Sequence, residues 1–128
     1  MKNSKLTLSI LPGKLAVSLL EKNDSIPSWA LKSVFFSISR TKDELSIVCM
    51  EKFVPQGVKF EGNWRAIKVE GKFDFSVTGV LSSLSNPLAE AKISIFAIST
   101  FNTDYILVKN ENLVKAKRIL AKFCKIKK

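Results

Sequence analysis

The chain has no histidine. That removes imidazole general bases, Ser–His and Cys–His nucleophile pairs, and most zinc sites. Its two cysteines, Cys49 and Cys124, lie 75 positions apart. This is neither a disulfide framework nor zinc-finger spacing, and two reduced, buried thiols are expected. No apolar run approaches the roughly 20 residues that span a bilayer. The first ten residues carry lysines but no long apolar stretch before a small-residue cleavage site, so no secretory signal is expected and the expected location is cytoplasmic. Arginine is scarce: Arg40, Arg65 and Arg118 stand against 18 lysines. Base readout and phosphate forks favour arginine, so nucleic acid is not an expected partner, and without a spanning run neither is a membrane.

What is present is a chain of 128 residues, 46% apolar and 25% charged. That is one ordinary domain or two small ones sharing a core, able to bury roughly two-thirds of its unfolded surface. The net charge is +10, of which +7 falls in the last 20 residues, where Glu111 is the single acid. The excess therefore belongs to one C-terminal helix, read as a solvated, lysine-rich end favoured by the helix dipole.

Slid against itself by 60 positions, the chain matches without a gap. Phe35–Ser39 falls on Ile95–Ser99, Leu45–Val48 on Tyr105–Val108, Glu51 on Glu111 and Pro27 on Pro87. In the second copy, Arg65–Val69 alternates as a strand and Asp74–Val77 leads into Thr78-Gly79. Val80, Leu81, Leu84, Leu88 and Ala91 form a helical stripe, with Pro87 expected to kink or stop it near Asn86. Ser94–Phe101 and Tyr105–Val108 read as an antiparallel hairpin. Asn110 is the expected cap of a last helix whose stripe is Leu113, Ala116, Leu120 and Phe123. The first copy has strands at Leu6–Ile10, Leu15–Leu20, Ser33–Ser39 and Leu45–Met50, with Pro27–Leu31 as a degenerate helix. Pro55-Gln56-Gly57 marks the joint, dividing the chain into 1–57 and 58–128.

Two segments carry chemistry. Ser76-Val77-Thr78-Gly79-Val80 places a hydroxyl and a glycine where a strand hands over to a helix, whose free amides favour a carboxylate or phosphate; an ordinary N-cap and turn glycine would use the same residues. Ser99-Thr100-Phe101-Asn102-Thr103-Asp104 sets hydroxyls and one carboxylate between apolar strands. Asp104 suits an ammonium group, with Ser99 and Thr100 bonding either end of a small zwitterion; a plain hairpin turn is the alternative.

These residues resemble a known family. The βαββα unit, its duplication and the two motifs are similar to the ACT domain, a regulatory amino-acid-binding module, and to the ACT pairs of aspartate kinases. Thr78–Leu81, Pro87–Ala91, Ser99–Phe101 and Thr103–Tyr105 resemble the stand-alone two-ACT proteins related to cytosolic arginine sensors. Ile38-Ser39-Arg40 with Glu44 matches Ile98-Ser99-Thr100 with Asp104. Lys92 departs from the family, where a glycine usually closes the helix. The resemblance implies an α+β fold of two tandem ACT-like, ferredoxin-like βαββ units forming one extended antiparallel sheet with helices on one face. It implies that Thr78, Gly79 and Val80 hold a ligand's main-chain groups and that Asp104 meets its amino or cationic group, at the seam between the copies. Arg40 and Glu44 are candidates to face that site from the first copy. The implied function is a non-catalytic module that binds a free amino acid, without a cofactor, and acts on a regulated partner or as a homodimer. The rival is an adaptor that docks through its sheet edges without a ligand. Aspartate-kinase activity is not implied, since a kinase domain has no room in these 128 residues.

Overall fold

A computed structural model describes residues 6–71 and 78–127. In chain order the strands and helices are β1 (Thr7–Ile10), β2 (Leu15–Leu20), β3 (Ser37–Arg40), β4 (Leu45–Met50), β5 (Lys59–Val69), α1 (Val80–Glu90), β6 (Ile95–Ser99), β7 (Asp104–Lys109), α2 (Leu113–Leu120) and β8 (Lys125–Ile126). Eight strands and two helices make an α+β fold. The pairs β1–β5, β2–β4, β2–β5, β3–β4 and β6–β7 are antiparallel and β1–β8 is parallel, so the sheet is mixed where a purely antiparallel one was expected. The two-residue strand β8 had no periodicity to announce it. No helix among the described residues is long and apolar enough to cross a membrane.

The chain divides into two compact units. One comprises residues 1–12 and 65–128, and the other residues 13–64. The division falls inside β5, not at the 57/58 joint of the repeat. The second unit is thus inserted between β1 and the rest of the first, because β1 pairs with the far half of β5, Leu8 opposite Val69 and Ile10 opposite Ile67.

In the larger unit, Leu8, Ile67, Val69, Ile106 and Val108 put one face of the strands into a core with Leu84 and Leu88 of α1 and Ala116 and Leu120 of α2. Helices therefore cover one sheet face, as their apolar stripes dictate. Pro87 neither stops nor restarts α1, which runs unbroken through it. The helix ends within about one turn of Pro87, at Glu90, in a Schellman arrangement. Lys92 N–H donates to Ala89 O at 2.9 Å and Ile93 N–H to Leu88 O at 2.9 Å, with Lys92 left-handed at φ 60°. Ile93 and Leu88 are both buried in the core, the apolar contact that accompanies this cap. The missing glycine thus changes the cost of the helix end, not its geometry. Asn110 does not cap α2. Its Oδ1 accepts a hydrogen bond from the Arg65 guanidinium at 3.1 Å, and a 3-10 turn, Asn110–Asn112, precedes the helix. Phe123, expected in the buried stripe, is exposed, because α2 has already ended at Leu120.

In the inserted unit, β2 lies between β4 and the first half of β5. The β2–β5 register moves from Leu15 opposite Trp64 to Val17 opposite Glu61, which is a bulge on β5. Asn63 takes the positive φ of 68° that the bulge requires, and the Glu51 carboxylate accepts its N–H at 2.7 Å. A Cβ on Gly62 would lie 2.5 Å from that same carboxylate oxygen, so a larger residue there has to displace the Glu51 side chain from its bond to Asn63. A single 3-10 turn, Ser28–Leu31, stands where the other copy has α1. It buries Ala30 against Leu45, Ile47 and Cys49 but leaves Leu31 and Val34 exposed. Both cysteines are buried thiols that form no disulfide with each other, and burial pushes the Cys49 thiol up.

Two outcomes follow from the larger unit. Lys92→Gly relieves the left-handed strain and is expected to raise the urea midpoint, by up to about 1 kcal/mol in unfolding free energy, since glycine's extra unfolded-state entropy offsets part of the gain. The second concerns Glu70, which accepts a 2.5 Å hydrogen bond from the Ser9 hydroxyl and lies near Lys68 and Lys127. The hydrogen bond chiefly, opposed by partial desolvation and aided by the lysines, holds its carboxyl below the ordinary 4.5. A depressed carboxyl stabilises the fold above its unfolded pKa, and that stability is lost as pH falls through the folded pKa. Glu70→Gln is therefore expected to destabilise the protein near neutrality and to flatten the acid limb of its stability–pH curve, measured by urea melts below pH 5.

Candidate functional site

The β6–β7 hairpin is built by its threonines. Thr100 N–H donates to Thr103 O at 2.8 Å, and the Thr100 hydroxyl both donates to Thr103 O and accepts the Thr103 N–H. Such side-chain turns stand in for backbone bonds at a tight reversal. Thr103 is buried, and its hydroxyl donates to Val69 O at 2.7 Å, tying the turn to the end of β5. Ser99 and Asp104 face each other across the strand pair, and the Ser99 hydroxyl donates to the Asp104 carboxylate. Ser99 is exposed and Asp104 half-buried, while Phe101 at the tip is 76% exposed.

The start of α1 is the second segment. Gly79, not Thr78, is the N-cap, at φ 82°, and no side chain caps the helix. The Gly79 carbonyl accepts the Ser83 N–H and the Ser82 hydroxyl. Among the described residues, a Cβ built on Gly79 meets nothing within 4 Å, so the position beside Gly79 is open to them. Thr78 and Gly79 are exposed, whereas Val80 is half-buried and packs on the core. Ser76 lies outside the described residues.

Arg40 and Glu44 belong to the β3–β4 hairpin of the inserted unit. Its turn closes with Thr41 N–H to Glu44 O at 2.9 Å, the counterpart of Thr100 to Thr103, and 59 positions from it. The repeat offset of 60 therefore slips by one at the hairpin. Glu44 corresponds to Thr103, not to Asp104, and Arg40 corresponds to Ser99, opposite Leu45 in place of Asp104. A one-residue shift swaps the two faces of a strand, which is why equal spacing of similar residues misassigned the pair. Arg40 is occupied within its own unit: its guanidinium donates to Lys22 O and, at 2.8 Å, to Asp24 O, in the loop that follows β2.

The structure thus assembles Ser99, Thr100, Thr103, Asp104 and the Val69 carbonyl in one turn. The Val69 contact was invisible in the sequence, since its functional atom belongs to the backbone. Chemically the turn presents a carboxylate whose single described partner is a hydroxyl, and the helix start presents uncapped amides.

The ACT domain family model matches residues 59–122, half of the chain, and a second model, described as an N-terminal domain, matches residues 13–57. The human cytosolic arginine sensor for mTORC1 subunit 1 is 31% identical over 87 residues, covering 62% of this chain and 26% of that protein. The chain thus spans about a quarter of the length of such curated relatives. Among solved structures, a protein from Agrobacterium tumefaciens is 38% identical, with a TM-score of 0.91 over 97% of this chain and 93% of its own. The ligand-free regulatory subunit of Thermus thermophilus aspartate kinase shares the fold alone, at 9% identity and TM-score 0.65 over 93% of this chain and 98% of its own.

Thr103→Val keeps the shape of the side chain but strands the Val69 carbonyl. It is expected to cost about 1–3 kcal/mol in chemical denaturation, the price of an unsatisfied buried acceptor.

Proposed function

We propose that this chain, which belongs to the ACT domain family, is a non-catalytic regulatory module that binds a free amino acid. The ligand's carboxylate meets the open amides at the start of α1, and its ammonium or a cationic side chain meets Asp104. The carrying observation is the contrast between the two hairpins. In the inserted unit, Leu20 lies opposite Leu45, so the end of β2 and the β3–β4 turn share one rim, and the Arg40 guanidinium bridges them. In the larger unit β5 pairs with β7 as β2 pairs with β4, so the end of β5 and the β6–β7 turn take those two places, and in the proposed scheme the start of α1, the next described segment of the chain, comes to the same rim. There Ser99 replaces the arginine, Asp104 replaces Leu45, and the position beside Gly79 is open among the described residues. One rim is filled by its own side chain, and the other offers opposite charge and room. Arg40 and Glu44 are thereby left out of the site. The absence of histidine and of a recognisable catalytic pair supports a binding role over a catalytic one. An arginine sensor among the relatives makes arginine the first amino acid to try.

The rival reading, an adaptor without a ligand, is favoured by one observation: the polar groups of the turn are already satisfied by one another.

A thermal-shift panel of the twenty free amino acids decides between them. A ligand at a hundredfold its Kd stabilises by about 2.7 kcal/mol, a shift of several degrees in Tm. At least one amino acid is expected to give such a shift, and Asp104→Ala and Gly79→Ala to abolish it while leaving the hairpin and helix intact by circular dichroism. No shift with any amino acid at millimolar concentration establishes the adaptor reading.

A further inference from the structure

Strand β8 is held lightly. It has two residues and lies beyond β1 at the edge of the sheet, with Thr7 opposite Lys125 and Leu8 opposite Ile126. Lys125 N–H donates to Leu6 O and Lys127 N–H to Leu8 O, both at 2.8 Å. Cys124, just before the strand, is buried in the core, so the segment has a fixed root. Lys125 and Lys127 are exposed and Ile126 is half-buried, so little apolar area opposes release of Lys125–Lys127.

On the other side of β1, a single peptide unit joins that strand to the β6–β7 turn. The Val69 carbonyl accepts the Thr103 hydroxyl at 2.7 Å, and the amide of the same peptide, Glu70 N–H, donates to Thr7 O at 2.8 Å. The Glu70 carboxylate accepts the Ser9 hydroxyl, and Lys127 favours its charge. A line of bonds thus runs from the turn through Val69–Glu70 to β1, whose far edge carries β8, and all of it lies in the larger unit. Bonds in such a chain polarise and position one another, so loss of the first weakens the next.

We propose that Lys125–Lys127 is a latch on the edge of β1, which opens while the rest of the larger unit stays folded, and that the line from Thr103 through Val69–Glu70 to Thr7 sets how tightly it closes. Open, the latch bares the Leu6 and Leu8 carbonyls along an edge that is otherwise covered. The latch is the element with two states, and the turn biases it. It rests on the fold alone and stands whether or not the rim beside Gly79 binds an amino acid.

Amide hydrogen exchange on the whole chain, resolved by residue with NMR, tests this. The reference amides are Ile106 and Leu107, buried in β7 between β5 and β6. The Lys125 and Lys127 amides are expected to be protected, yet to exchange at least about tenfold faster than the reference pair, as local opening requires. Thr103→Val is expected to speed the two latch amides about tenfold, the factor for one lost hydrogen bond. Thr103→Ser, which keeps the hydroxyl, is expected to leave them near the native rate. Ser9→Ala, which frees the Glu70 carboxylate without touching the turn, is expected to speed them severalfold. A merely global loss of stability would speed Ile106 and Leu107 and leave the latch amides unchanged. The proposal is overturned if the latch amides exchange as slowly as the reference pair, if they show no protection, or if Thr103→Val and Ser9→Ala both leave their rates unchanged.

Discussion

The register of the β6–β7 turn is the constraint on which the site depends. Strand side chains alternate between faces with period two, so the residue at which a hairpin reverses decides which groups share a rim. Here the reversal is fixed by the Thr100 hydroxyl and anchored by the Thr103 hydroxyl on the Val69 carbonyl. With the turn so pinned, Ser99 and Asp104 must stand opposite each other. A shift of one residue would place Ile98 or Tyr105 there instead. The carboxylate owes its position to two threonines that touch no ligand in the proposed scheme, and they matter to recognition through geometry alone.

The two copies show how one frame diverges. Both hairpins keep a threonine that starts the turn, Thr41 and Thr100, and both keep three consecutive buried residues on the returning strand, Ile47–Cys49 and Ile106–Val108. What differs is the cover and the rim. Where the larger unit lays α1 over its sheet, the inserted unit has one 3-10 turn, and the loop that would otherwise lead into a helix is held by the Arg40 guanidinium. Loss of a helix removes its uncapped amides as well as its apolar stripe. An arginine bonding carbonyls is therefore the natural occupant there, and an anion is not. At the start of α1 the exposed groups are donors, and the preference inverts.

Much of this was legible in the sequence because periodicity reports burial. The short apolar runs Leu15–Leu20 and Leu45–Met50 marked both strands to the residue, and the Leu84 and Leu88 stripe marked the buried face of α1. The failures share a cause: tertiary partners that no local pattern encodes. Asn110 reads as a cap until Arg65, 45 positions away, takes its oxygen. Phe123 reads as the next member of a stripe until the helix ends three residues earlier. β8 consists of two residues that become a strand because Leu6 and Leu8 offer carbonyls to Lys125 and Lys127. Pro87 reads as a breaker, yet packing of Leu84 and Leu88 on either side carries the helix past it. The repeat itself was visible, but similarity at Ser39 and Ser99 concealed the one-residue slip that only hydrogen bonding reveals.

That slip bears on selectivity. Asp104 accepts the Ser99 hydroxyl, so in the proposed scheme an amino acid competes with a bond in place. A neutral hydroxyl or amide ligand would exchange one neutral-donor hydrogen bond for another and gain little. A cationic donor adds the attraction of a full opposite charge, which the hydroxyl does not supply. The released Ser99 hydroxyl can then turn to the ligand or to water. An internally satisfied turn is thus not evidence of an inert one. In the proposed scheme it sets a threshold that a charged donor exceeds and a neutral donor does not, and the Ser99 hydroxyl keeps the Asp104 carboxylate partnered.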